Sequence, residues 1–488
     1  MAVGYLPAAA GTGMAGTGGQ TAVFGAPLPV VTLTAGGQTF DIQPRTGDKA
    51  WLAAVQASLT TEVPALEDLT GLTAPGGTIA VAEVDDGLNN HGISYDAASH
   101  TLDIPQSAAP GVVANALARI WFNSTLFSDR WVNEGLATFG EQVAGAGNYV
   151  PCSEMPAYPG SGDPNLAAWA TLNADSTIAD QNLADWQVDA SCAFVAEVAK
   201  TMGPANFSNV LVAAAARRSA YGAGSQAAAG ASPVTVRQLL DLIDEVGMVP
   251  AAAADPDMAQ KLLGGLGVID QATLTSRSEA RAAYHALITT AGSWSIAPAI
   301  REPMQSWDFA SAEAAMTTAG EVLDVRGSVE KTIPSYSPNG STVQKDFETA
   351  ATQDDLDALL AVMQKMLDAS GTIAHATKLH DGSRSLLQTI GLIGTDLDTP
   401  MKHAMADLQA VEPDKAQSDA QTVSDEIDGA SGVGLLRAAV AAGLLGLILI
   451  AAVWLLLIVR RRRRHRGNSS GTVAPPGEST EDTPTQSA

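Results

Sequence analysis

The chain has 488 residues, 46% of them hydrophobic, enough for a sizeable core and for two or three units, since a single core seldom grows past roughly 250 to 300 residues. Its formal charge is -25, with 27 Lys and Arg against 52 Asp and Glu. That balance argues against nucleic acid as a partner and against adsorption of the main body to anionic lipid.

Residues 1–27 are rich in Gly, Ala and Thr and are expected to be irregular. They hold no basic residue, the first being Arg45, and no continuous apolar core. An export signal is therefore not legible there, and either a true start upstream or a fragment is expected. LPVVTL from Leu28 and QTFDI from Gln38 read as strands. Asp48 reads as the N-cap of a helix to about Ser58, and PALEDLTGL from Pro64 as a further short helical turn. GTIAVAEV, Gly77 to Val84, alternates like a half-buried strand, with HTLDIP, His100 to Pro105, as its candidate partner. After Pro110 the spacing is helical at Val112–Phe127, Trp131–Val143, Asp189–Met202, Ala205–Ser219 and Val236–Val246. A small sheet followed by helices is an α+β, mostly helical class. The sequence divides into a first domain at 28–250, a helical extension at 251–330, a linker at 331–344 and a juxtamembrane helical bundle at 345–432.

Ala438 to Val459 is an uncharged run long enough to cross a bilayer as one helix, and Arg460 to Arg464 follow it without a gap. Arginines abutting such a run form a cytoplasmic stop signal, so a single-pass cell-membrane protein is expected, its bulk outside the cytoplasm. Residues 460–488 are then a basic stretch and a disordered cytoplasmic tail rich in Pro, Ser, Thr and Gly. The two cysteines, Cys152 and Cys192, fall in the outer portion. A disulfide between them would contribute roughly 3 to 4 kcal/mol; two unpaired buried thiols is the other reading.

One stretch carries chemistry by what it lacks. VVANALARIWFNS and, further on, RWVNEGLATFGE resemble the gluzincin aminopeptidases of the membrane alanyl aminopeptidase type and the peptidase MA-like proteins, whose pattern is VVAHELAHxWFG followed by WLNEGFATYxE. In such enzymes two histidines four apart and a glutamate on the next helix hold zinc, and the glutamate after the first histidine is the general base. The resemblance puts Asn115 at the first histidine, Ala116 at the base, Arg119 at the second histidine and Glu134 at the third ligand. Glu134 alone keeps its type, and the connection from Arg119 to Glu134 is shorter than in the aminopeptidases. Downstream, VDASCAFVAEVAKTMGPANFSNVL is similar to the family stretch that carries the oxyanion tyrosine, whose place Val188 takes. LNNHGISY resembles the loop that holds the substrate amine, with Asn89 at its glutamate. The resemblance spans about Leu66 to Gly247 and implies a thermolysin-like peptidase-type domain.

An amide oxygen is a poor zinc ligand, alanine moves no proton, and a permanently charged guanidinium repels a cation. Arg119 is therefore expected to fill the metal position and pair with Glu134. The seven histidines include no i, i+4 pair, GAGS at Gly222 and GSG at Gly160 lack a hydrolase elbow, and GTGMAGTGG lacks the lysine of a phosphate loop. The sequence points to a membrane-anchored, catalytically inactive peptidase-like protein with no cofactor. Its cleft would bind an unknown peptide or protein partner or serve as scaffold. The alternative is an active gluzincin metallopeptidase that acts on peptides with zinc.

Overall fold

The computed structural model describes residues 29–465 except 46–47, 76, 86–93, 109, 146–151, 153, 170–171, 173–174, 223–231 and 248–256. Residues 1–27, the loop with Asn89 and the tail 467–488 thus lie outside the described residues. The chain is mostly helical, with a small sheet and one apolar C-terminal helix. It comprises two compact units, residues 1–323 with 346–357 and residues 324–345 with 358–488.

In the first unit, β1 (Val31–Ala35) and β2 (Gln38–Gln43) form an antiparallel hairpin. Its turn carries Gly36 and Gly37, both with positive φ, a backbone that costs glycine little. β3 (Thr78–Val84) lies parallel to β2, β5 (Thr101–Pro105) parallel to β3, and β4 (Ser94–Asp96) closes the far edge antiparallel. The order is β1-β2-β3-β5-β4. Phe40, Ile42, Ile79, Val81, Leu102 and Ile104 are fully buried at alternate positions and join one core.

α1 (Lys49–Thr70) is a single helix where two shorter pieces were expected. Asp48 caps it as anticipated, its carboxylate accepting from the Trp51 N–H at 2.8 Å. Pro64 does not break it, because Thr60, whose carbonyl loses its partner, and Pro64 are both exposed to water. The apolar stripe of Val55, Leu59, Val63 and Leu66 runs through unbroken. α2 (Pro110–Ala118) ends well before the expected Phe127. Beyond it the Asn123 amide donates to the carbonyls of Arg119 and Ile120, and its own oxygen accepts from the N–H and hydroxyl of Thr125. That side chain competes with the helix ladder and turns the chain.

α3 (Arg130–Ala144) matches its expected span within a residue at each end. α4 (Ile178–Met202) starts earlier than read, on a capping box between Thr177 and Asp180. α5 (Pro204–Ala215) follows, and α6 (Val236–Leu242) passes into a π-helical turn at Ile243–Gly247. α7 (Met258–Gly265), α8 (Gln271–Ala291) and α9 (Pro298–Ser306) make up most of the described extension. Met258, Leu263, Leu274 and Trp307 share one apolar cluster with Trp131 and Leu136. The described part of 251–330 thus joins the first core through α7, the start of α8 and Trp307, while Ile300, Met304, Ala319 and Val322 are buried outside that cluster. Cys152 and Cys192 are disulfide-bonded, Cα to Cα 5.3 Å, across a separation of 40.

α10 (Phe309–Thr332), α11 (Thr342–Thr349) and α12 (Gln353–Asp381) come next. The stretch 331–344, expected as a linker, is irregular between α10 and α11, yet Ile333, Tyr336 and Val343 are buried. In the second unit α13 (Leu386–Gly391) and α14 (Asp398–Gln409) pack on α15 (Pro413–His465). Buried Ala416, Ala420, Val423, Ile427 and Ala430 give α15 an inward stripe over its first turns. Beyond it, α15 is apolar, exposed and long enough to cross a membrane.

Candidate functional site

Residues four apart share a helix face, so the last turn of α2 brings Asn115 and Arg119 to one side, and α3 packs against it. The Arg119 guanidinium grips Glu134 with two bonds, Nη1 to Oε1 at 3.2 Å and Nη2 to Oε2 at 2.5 Å. Such a fork is the strongest geometry an arginine and a carboxylate adopt. Its Nε donates to Asn115 Oδ1 at 3.0 Å, and Asn115 Nδ2 donates to Glu141 Oε2 at 3.0 Å. One amide thus links a guanidinium to a carboxylate, and only this orientation of the Asn115 side chain serves both. Arg130, one turn before Glu134 on α3, adds a second cation at 3.7 Å.

Asn115, Glu134 and Glu141 are buried, while the Arg119 side chain keeps 18% of its surface. Burial by itself would raise the Glu134 carboxyl, but Arg119, by charge and hydrogen bond, and then Arg130 outweigh it and hold the carboxyl below its usual range. Arg119 also stands just past the C-terminal end of α2, where the helix dipole favours a cation. Behind this row lies a carboxyl of opposite tendency. Glu62 of α1 is 3% exposed and its Oε2 has no hydrogen-bond partner. Burial first, with the charge of Glu141 adding to it and a bond from Ser58 opposing, pushes it up to about 7.

The expected pairing of Arg119 with Glu134 is present, with Asn115 in the same cluster. Ala116 is fully buried in the apolar core. Val188 is half-buried on α4, which packs against α3, and is no part of the ion-paired row. Gly135 permits the close approach of those two helices, since a Cβ there would come within 2.6 Å of the Ser191 carbonyl.

The donor set does not fit zinc. Both Glu134 oxygens and the Asn115 oxygen are taken up by N–H groups of a permanently charged side chain, so a cation would have to displace Arg119. Among the described residues no group of three or more His, Cys, Asp or Glu is placed to hold a metal ion. What the cluster does chemically is clamp: Asn115 and Arg119 lock the end of α2 to Glu134 and Glu141 of α3, and Arg130 braces Glu134 from within α3.

Sequence reasoning missed Glu62, Arg130 and Glu141. Arg130 carried a signal, the i, i+4 spacing to Glu134. So did Glu62, a carboxylate lying within the apolar stripe of its helix.

A second buried ionic cluster was also unread. Arg277 of α8 is fully buried between Asp241 at 2.7 Å and Asp244 at 2.8 Å. Arg281 pairs with Asp244 and Glu245, and His285 contacts Glu245 at 3.1 Å. The Tyr221 hydroxyl and Trp307 Nε1 both donate to Asp241. Arg237 and Arg277 lie over the Trp307 ring at 5.2 and 5.4 Å. Trp307 takes a left-handed φ of 62°, costly for a bulky residue and held here by these contacts. The π turn after α6 carries two of the acids, Asp244 and Glu245, and so sets them against α8.

No family model matches the chain, and no curated protein matches it.

Proposed function

We propose that this chain is a membrane-anchored, catalytically inactive relative of the gluzincin peptidases, in which an ion pair stands where zinc would be. The proposal includes a thermolysin-like peptidase-type domain, held outside the cytoplasm by α15, whose cleft takes a peptide or protein partner or serves as scaffold. One observation carries it. The carboxylate at the third-ligand position, Glu134, is gripped on both oxygens by the side chain at the second-histidine position, Arg119. A pairing between those two positions is what a metal centre leaves behind when a fixed cation replaces a bound one. Supporting it, Ala116 has no group to take a proton from water and Val188 none to donate to an oxyanion. No hydrolytic step can be built from the side chains gathered at this site.

Elemental mass spectrometry of the purified full-length chain, equilibrated with trace zinc and dialysed, tests the reading. The wild type is expected to hold no stoichiometric zinc. The triple variant N115H/A116E/R119H is expected to retain about one zinc per chain, with three ligands and an open fourth position. Stoichiometric zinc in the wild type that is lost in Glu134→Gln would overturn the proposal and return an active metallopeptidase to the front. A folded triple variant that retains no zinc would argue that the two helices are not those of a gluzincin.

A further inference from the structure

In the second unit, α13 is a short helix whose apolar residues are turned away from the protein. Leu386 is 77% exposed and Ile393 65%, with Leu387 and Ile390 partly so. Leu386 and Ile390 lie one turn apart on α13, and Ile393 stands in the turn that follows it. An exposed face of this kind on so short a helix calls for a partner.

α13 is fixed to α15 backbone against backbone. A Cβ on Gly391 would land on the Ala430 carbonyl, and one on Gly434 would land on the Leu387 carbonyl. Small residues at both points allow the helices to touch. Arg437 locks the end of the short helix by donating from one Nη1 to three carbonyls, Ile390 at 3.0 Å, Gly391 at 3.0 Å and Ile393 at 2.9 Å. The level of α13 along α15 is therefore known: beside Ala430 to Arg437.

That level has a meaning if α15 crosses a bilayer. Counting back from Arg460 at about 1.5 Å per residue, a hydrocarbon core of about 30 Å reaches Val440. A further 5 to 7 Å or so of headgroup region reaches about Leu435. Leu435, Leu436 and Val440 are themselves exposed on α15, so α15 also presents apolar surface at this level. The last acids of α15 before the span are Asp425, Glu426 and Asp428, and the first two line a cavity with Gly391, Thr395 and Arg437 on the side of α13 away from the span.

We propose that α13 is a membrane-surface helix: Leu386, Ile390 and Ile393 sit in the outer interfacial layer of the bilayer that α15 spans. Arg437 and the Gly391 and Gly434 contact hold α13 there. The partner is lipid, met at the headgroup and acyl boundary, where a helix with one apolar face binds. The consequence is a fixed posture. With two contacts on the bilayer, α15 and α13, the second unit is restrained against rotation about its own span. The inference rests on the reading of α15 as a transmembrane helix.

The test keeps the two apart. The full-length chain is placed in phosphatidylcholine nanodiscs with a polarity-sensitive fluorophore on a single introduced cysteine. It sits in turn at Leu386, Ile393, Gln417, exposed near the start of α15, and Leu445 within the span, and the unsubstituted chain serves as the labelling blank. Lipids carrying a nitroxide high on the acyl chain are expected to remove about half the emission at Leu386 and Ile393 and little at Gln417, as for a helix lying in the interface. Quenching at Leu445, from lipids labelled deeper, checks the span. Quenching at Leu445 with none at Leu386 or Ile393 would overturn the inference and leave the span intact. Blue-shifted emission at Leu386 that lipid does not quench would also overturn it, since the face would then be covered by protein, a second copy included. Absence of quenching at Leu445 would remove the transmembrane reading on which all of this stands.

Discussion

Glu62 and Glu134 are both buried and shift in opposite directions because only Glu134 has a cation beside it. Glu62 is pushed to about 7 by burial, against an ordinary value of 4.5. Between those two values the folded protein keeps the proton while the unfolded chain has lost it, so stability falls as pH rises. Its contribution is whole below about pH 4.5 and lost above about pH 7, amounting to roughly 3 kcal/mol. Glu62→Gln keeps the shape and removes the titration. The variant is expected to match wild type near pH 4.5 and to gain on it steadily up to pH 8 in chemical unfolding. A difference that stays constant with pH would mean the carboxyl is ionised in the fold. The ion pair in front of it was legible in the sequence, because the resemblance to the gluzincin motif put Asn115, Arg119 and Glu134 on facing helix turns. Glu62 gave only the signal of a carboxylate within an apolar stripe, which does not tell one that ends under another helix from one at the edge of the stripe.

At the scale of elements, α8 is held to the end of α6 by charge as well as by apolar packing. Arg277 is the hub, fully buried with two carboxylates on it. Burial works against its charge, but Asp241 and Asp244 overcome this and raise its pKa further. Taking the cation away strands both acids, a loss expected to cost roughly 3 to 5 kcal/mol. Arg277→Met should lower the unfolding midpoint accordingly and speed amide exchange in α8, and adding Asp241→Asn and Asp244→Asn should recover part of it. If Arg277→Met exchanges like wild type in α8, the cluster holds nothing. Element existence was largely readable from period: β1, β2, β3, β5 and α3 fall close to where alternation and helical spacing put them. Ends were less so. Asn123 stops α2 through bonds to carbonyls that only a folded turn presents, and Pro64 passes inside α1 because its side faces water. The disulfide was left open by the sequence, since a single pair of cysteines sets no geometry.

At the scale of the whole molecule, α15 changes character along its length. Up to Ala430 it has a buried stripe; from Leu435 to Val459 its large side chains are exposed, and a protein in water does not leave such a surface bare. Five arginines then close the run. If this half lies in hydrocarbon, charge placed in it must pay for desolvation. An arginine at the centre of a span costs about 2.5 to 3.5 kcal/mol and the leucine it replaces forfeits a few tenths more. A span this apolar should tolerate one such change. It should not tolerate two on the same face. Leu447→Arg with Trp454→Arg, seven apart, adds about 6 to 7 kcal/mol. The single Leu447→Arg chain is expected to stay with the membrane after alkaline extraction, and the double variant to be released. Both positions are exposed on α15 and touch little of the packed unit, so a released protein should keep its far-ultraviolet dichroism. Retention of the double variant would mean that the apolar half of α15 is shielded by protein instead of lipid. Release of the single variant as readily as the double would mean that it rests on the membrane without crossing it.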